Sequence, residues 1–114
     1  MSEHELPPDR VASMSDAQLI DVREDYEHDA GRIPGSRWID VAELTQAAEA
    51  LDQSRPVVFY SRSGDRSTMP AEAFRASGWD AYTLEGGLTA WVEAGEPLEP
   101  EDGEVAHRRP GPQT

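Results

Sequence analysis

Apolar positions fall into short runs separated by polar and glycine-rich stretches, and the runs follow two different periods. Residues 18–22 (QLIDV) form a short apolar run ending in polar residues, the pattern of a buried strand. A charged stretch, 23–29, then leads through Gly31 to the Ile33-Pro34-Gly35 turn, and residues 37–39 read as a short strand. Asp40 is a good N-cap for a helix over 41–51, where Ala42, Leu44, Ala47, Ala48 and Leu51 recur at helical spacing. Residues 56–60 (PVVFY) are the strongest strand: β-branched, aromatic and apolar without alternation, as at the centre of a parallel sheet. After a polar loop, 61–66, a helix is expected from Ser67 or Thr68 to Ser77, with Met69, Ala73 and Phe74 inward and Gly78 as its stop. A strand over 79–84 closes at Gly86-Gly87, and a last helix, 88–94, ends at Gly95.

Strands alternating with helices imply an α/β fold, a small parallel sheet with helices on both faces. Residues 1–10 and the Glu-, Pro- and Gly-rich segment 98–114 look too polar to join the core, so a flexible N-terminus and a disordered tail are expected around a domain at 11–97. That leaves a folded body of roughly 85 residues, near the lower limit for one unstapled core.

Composition narrows the chemistry. The 114 residues include no cysteine, which excludes disulfides, thiolate metal sites and redox thiols. They include no lysine either, which excludes Schiff-base catalysis. A formal net charge of −13 opposes nonspecific binding to nucleic acid or anionic membranes. No basic segment followed by an apolar run opens the chain, and no stretch approaches a membrane span, so the expected location is the cytoplasm.

The loop after 56–60 reads SRSGDRS, and ligands in open α/β sheets sit beyond the carboxyl ends of the strands. Gly64 permits a tight turn, and a short loop before a helix can aim several N–H groups at one point. The helix N-terminus adds partial positive charge, and Arg62 and Arg66 add full charges with forked donors. Spacing alone leaves two readings open: a cup for a small oxyanion with Ser61 at its base, or an ordinary solvated loop with two exposed arginines.

The loop resembles that of the rhodanese family of sulfurtransferases, where a hydrophobic strand runs into Cys-Arg-x-Gly-x-Arg-Ser. The corresponding residues are Ser61, Arg62, Ser63, Gly64, Asp65, Arg66 and Ser67. LIDVRE at 19–24 with GRIPGS at 31–36 resembles the family's first signature, and LEGGLTAW at 84–91 its C-terminal one. The resemblance covers about 19–97. It implies a rhodanese-like fold and transfer of sulfane sulfur from thiosulfate or a protein persulfide to a thiophilic acceptor, through a cysteine persulfide. Ser61 then stands at the nucleophile position. Arg62 and Arg66 bind the anion, and the N–H groups of Ser63, Gly64, Asp65 and Ser67 form its cradle. No organic or metal cofactor is implied. Ser61 and Arg66 enclose only Arg62, Ser63, Gly64 and Asp65, a loop one residue shorter than in phosphatase-like relatives, which favours sulfur over phosphate chemistry.

Serine departs from the pattern, because its hydroxyl is far less acidic than a thiol and forms no equivalent persulfide. Ser61 can still donate a hydrogen bond to a bound anion, so binding geometry without turnover is expected. Two readings account for it: an introduced cysteine-to-serine change that silences an active enzyme, which the otherwise intact loop favours, or a natural cysteine-less module that binds an anion or a partner. A serine hydrolase would need a base beside Ser61, and neither serine of SRSGD has a glycine two residues before it. Among the histidines only His28 lies near a strand exit, and it reads as a solvent-exposed loop residue. Asp21 and Arg23 read as a salt bridge at the exit of the first strand rather than as parts of the site. Glu24, Asp25, Glu27 and Asp29 read as a solvated acidic face rather than a metal site. Trp38, Trp79 and Trp91 read as core or boundary packing, and Glu85 as a surface residue within reach of the site rim.

Overall fold

The computed structural model describes residues 4–63, 67–103 and 105. Five strands, β1 (Glu5–Leu6), β2 (Gln18–Asp21), β3 (Arg37–Trp38), β4 (Val57–Tyr60) and β5 (Ala81–Leu84), pair in parallel in the order β1-β5-β4-β2-β3. The unbroken apolar run of β4 takes the central position, with all its residues buried, because both its faces and both its edges are covered. The registers Asp21↔Tyr60 and Phe59↔Thr83 bring the carboxyl ends of β2, β4 and β5 to one edge of the sheet.

Alternation along the strands splits the core into two layers. Ile20, Val57, Phe59 and Ala81 face α3 (Leu44–Ala47) and α4 (Thr68–Ala76), with Leu44, Ala71 and Phe74 completing that side. Leu6, Val58, Tyr60 and Leu84 face α1 (Pro8–Ala12) and α5 (Gly87–Glu93), through Val11, Leu88 and Trp91. The expected parallel sheet with helices on both faces is therefore observed. Trp91 is core, while Trp79 packs at the edge of the other layer against Phe74, 5.0 Å between ring centroids. Among the described residues no helix is long and apolar enough to cross a membrane.

Several expectations are corrected. The N-terminal segment is not excluded from the core: β1 extends the sheet beside β5, and Leu6 is buried. A strand that short carries no readable alternation, yet its backbone covers an edge that would otherwise lie open. The C-terminal segment also folds back past residue 97. Glu99 exchanges backbone hydrogen bonds with Arg32 at 3.1 and 2.8 Å, and Leu98 and Val105 pack on the second layer.

The charged stretch contains a helix, α2 (Asp25–Ala30), started by a capping box in which Glu24 and Glu27 satisfy each other's backbone N–H groups. Asp25 and Glu27 in its first turn complement the helix dipole. The acidic residues thus build a helix start, and Glu27 is buried. The helix expected over 41–51 is capped by Asp40, whose side chain accepts from Ala42 N at 3.0 Å. It is broken, however, into 3-10 turns at Val41–Glu43 and Ala48–Ala50 around α3. Met69 and Ala73 do not point inward: Met69 is 77% exposed and Ala73 is exposed, while Pro70, Ala71 and Phe74 form the buried stripe of α4.

Candidate active-site loop

Ser61 follows the last residue of β4 and is buried, 2% exposed. Its carbonyl accepts from Leu88 N at 2.8 Å, and the Arg62 carbonyl accepts from Thr89 N at 3.0 Å. The first turn of α5 therefore holds the start of the loop, and those two amides are not available to a ligand. This contact explains the second glycine of the Gly86-Gly87 pair. A Cβ on Gly87 would lie 2.5 Å from the Ser61 carbonyl oxygen and 2.6 Å from the Arg62 carbonyl carbon, and the residue has φ +61°.

The far end of the loop is anchored as well. Ser67 is fully buried, and its carbonyl accepts from Ala71 N at 3.2 Å and from the Thr83 hydroxyl at 3.3 Å. The structure thus places Ser61, Arg62, Ser63 and Ser67 on one short stretch pinned by α5 in front and by α4 and β5 behind. Arg62 is half-buried and Ser63 exposed. Gly64, Asp65 and Arg66, the remaining expected contributors, lie outside the described residues. The loop feeds the N-terminus of α4, where partial positive charge accumulates. Glu85, half-buried, donates its backbone N–H to the Leu6 carbonyl at 2.8 Å and so belongs to the sheet edge.

A buried polar cluster supports the strand exits beside the loop. Arg23 Nε and Nη2 donate to Asp21 Oδ1 and Oδ2 at 2.9 and 2.6 Å, and Nη2 also donates to the Gly31 carbonyl at 2.7 Å. Burial pushes the Asp21 carboxyl up, but hydrogen bonds from His28 and Arg23 together with the Arg23 charge outweigh it and hold the carboxyl below its usual range. The expected salt bridge at the strand exit is thus present, fully buried. His28 is a correction: it sits on α2, half-buried, with Nδ1 2.9 Å from Asp21 Oδ2. Sequence reasoning missed it because α2 itself was not read.

A second unread link joins the GRIPGS segment to β4. The Tyr60 hydroxyl accepts from Ile33 N at 3.2 Å and lies 2.8 Å from Ser36 Oγ. Burial, with the nearby Asp21 charge, drives the Tyr60 phenol well above its ordinary range, so it acts as a neutral tie. The signature segments around Asp21, Ile33 and Gly87 thus converge on the base of one loop.

Comparison with known proteins agrees with that geometry. The Rhodanese-like domain model matches residues 7–94. The chain belongs to the rhodanese-like domain family. It is 34% identical over 83 residues to the putative sulfurtransferase YtwF of Bacillus subtilis, covering 73% of this chain and 81% of that protein. It is 32% identical over 89 residues to the thiosulfate sulfurtransferase GlpE of Pseudomonas aeruginosa, covering 75% and 81%. A rhodanese-related protein from Thermoplasma volcanium superposes with a TM-score of 0.77 at 26% identity, over 83% of this chain and 96% of the other. The match begins before β2, in keeping with the place of α1 in the rhodanese-like fold seen here.

Proposed function

We propose that this chain is a sulfurtransferase scaffold in which residue 61 is the sulfur-carrying position and Ser61 holds it silent. The observation that carries this reading is the placement of Ser61: buried at the exit of the central strand, at the start of a loop clamped at both ends, in a chain of this family. With cysteine there, the thiolate would attack the outer sulfur of thiosulfate. The S–S bond breaks, sulfite leaves with the electron pair, and a persulfide remains. Cyanide or a thiolate then takes the outer sulfur and returns the thiolate. The N-terminus of α4 and the arginines Arg62 and Arg66 favour the thiolate and hold the outgoing anion. Ser63, Gly64, Asp65 and Ser67 supply the cradle of N–H groups. With serine the cup binds the anion and the cycle stops before the first bond forms. Relatives that carry the name thiosulfate sulfurtransferase support a small sulfur anion as ligand. A reducing cytoplasm suits the same chemistry.

The test is thiocyanate formation from thiosulfate and cyanide by Ser61→Cys beside the unaltered chain. Product from the cysteine form alone supports the reading, and none from either form overturns it. A second reading, a non-catalytic module that binds an anion or a partner, draws on the complete absence of cysteine. It predicts thiosulfate affinity in the unaltered chain, lost in Arg66→Ala, with no thiocyanate from Ser61→Cys.

A further inference from the structure

A groove of about 420 Å³ opens on the carboxyl edge of the sheet beside the loop, between the exits of β2 and β3 and the first turn of α4. Its apolar wall is formed by Trp38, Val41, Met69 and Pro70; Glu24 and Asp40 stand along it as exposed acidic residues, while Arg23, the cation in the lining, is buried and paired with Asp21. Val41 is 52% exposed and Met69 77%. Among the described residues only three large hydrophobic side chains are exposed, and two of them line this one groove, so the exposure is concentrated rather than scattered. The wall is held in place, since Trp38 Nε1 donates to the Arg23 carbonyl at 2.7 Å.

The groove flanks the loop. Val22, also in its lining, donates its N–H to the Tyr60 carbonyl at 3.1 Å, one residue before Ser61, and Met69 and Pro70 open the helix into which the loop runs. We propose that this groove docks a partner protein through a basic segment with an apolar anchor, which brings the partner's thiol to residue 61 for sulfur exchange; that role of the partner rests on the sulfurtransferase reading. Apolar side chains of the segment fill the space between Met69, Val41 and Trp38, and its basic residues meet Glu24 and Asp40. Charge decides the occupant. A second copy of this chain brings another net −13, and an anionic lipid surface repels it in the same way, whereas a basic partner is drawn in.

Docking needs no sulfur chemistry, so it is measured on the chain as it stands, by fluorescence anisotropy. The probes are two labelled synthetic peptides with the same Leu-Cys-Leu centre, one flanked by arginines and the other by glutamates. The arginine peptide is expected to bind at least about tenfold more tightly, with the gap narrowing as salt rises from about 50 to 500 mM. The double variant Val41→Lys, Met69→Lys is expected to lose that affinity by about tenfold, since both side chains are exposed and the change strips the anchor site and adds like charge. Equal binding of the two peptides, or selective binding that the double variant leaves intact, overturns the proposal. The thiocyanate assay on Ser61→Cys separates the two ideas. Thiocyanate without selective peptide binding overturns the docking site alone. Selective binding without thiocyanate overturns the sulfur-exchange role and leaves the groove a docking surface.

Discussion

Gly87 carries the tightest steric constraint at the site, because the loop carbonyls occupy the space where a side chain would begin. Gly87→Ala is expected to cost about 2–4 kcal/mol, the sum of a strained positive φ and displaced loop carbonyls, read from urea unfolding. In the Ser61→Cys background the same change is expected to lower kcat/KM, since the amides of Leu88 and Thr89 no longer hold the loop start. Asp21 is constrained by polarity instead. It is fully buried and accepts from Arg23 and His28, so removing its charge leaves a buried guanidinium without its counter-ion. Asp21→Asn is expected to cost about 3–5 kcal/mol. His28→Ala deletes one hydrogen bond to a carboxylate that keeps its others, and about 1–2 kcal/mol is expected. The Asp21–Arg23 pair was legible from sequence, since residues two apart in extended chain project to the same side. His28 was not, because its approach depends on a helix whose apolar pattern is too thin to read.

Among the elements, α4 shows how a helix can be found from sequence while its rotation is not. Its start and stop follow from the loop before it and Gly78 after it, but Met69 and Phe74 are both large and apolar, and pattern alone puts both inward. The sheet accepts the stripe of Pro70, Ala71 and Phe74, and Met69 turns to solvent. Phe74→Ala should therefore cost about 3–5 kcal/mol, and Met69→Ala should stay within about 0.5 kcal/mol, in the same unfolding measurement. A comparable loss in both variants would mean the helix is rotated as its pattern first suggests. The central strands were legible because burial on both faces leaves an apolar run with one interpretation. β1 was not legible because a two-residue edge strand is defined by backbone pairing with β5, which sequence does not display. The loop residues at the site were readable as a string, but their support by Gly87, Thr83 and Tyr60 comes from segments that meet only once the sheet has formed.

At the scale of the whole molecule, two electrostatic effects oppose each other, and pH separates them. Twenty-three acidic residues against ten basic ones crowd negative charge onto a small body, so folding works against its own repulsion near neutral pH. Salt screens that repulsion, and raising it from about 10 to 300 mM at pH 7 is expected to raise the thermal midpoint. Lowering the pH into the carboxylate range relieves the same repulsion by protonation. Asp21 acts in the other direction. Its folded carboxyl lies below the usual value, so the unfolded chain takes up its proton first. The stability it contributes is full above the unfolded value, about pH 3.9, and is lost as pH falls through the depressed folded value. If repulsion dominated acid behaviour, stability would climb as the acidic surface is neutralised. If the buried pair dominates, stability falls below about pH 4 in the unaltered chain, and the fall is shallower in Asp21→Asn, which has no such proton to bind. Urea midpoints from pH 5 to 3 on both chains decide between these, and the fully buried, doubly bonded geometry of Asp21 favours the fall.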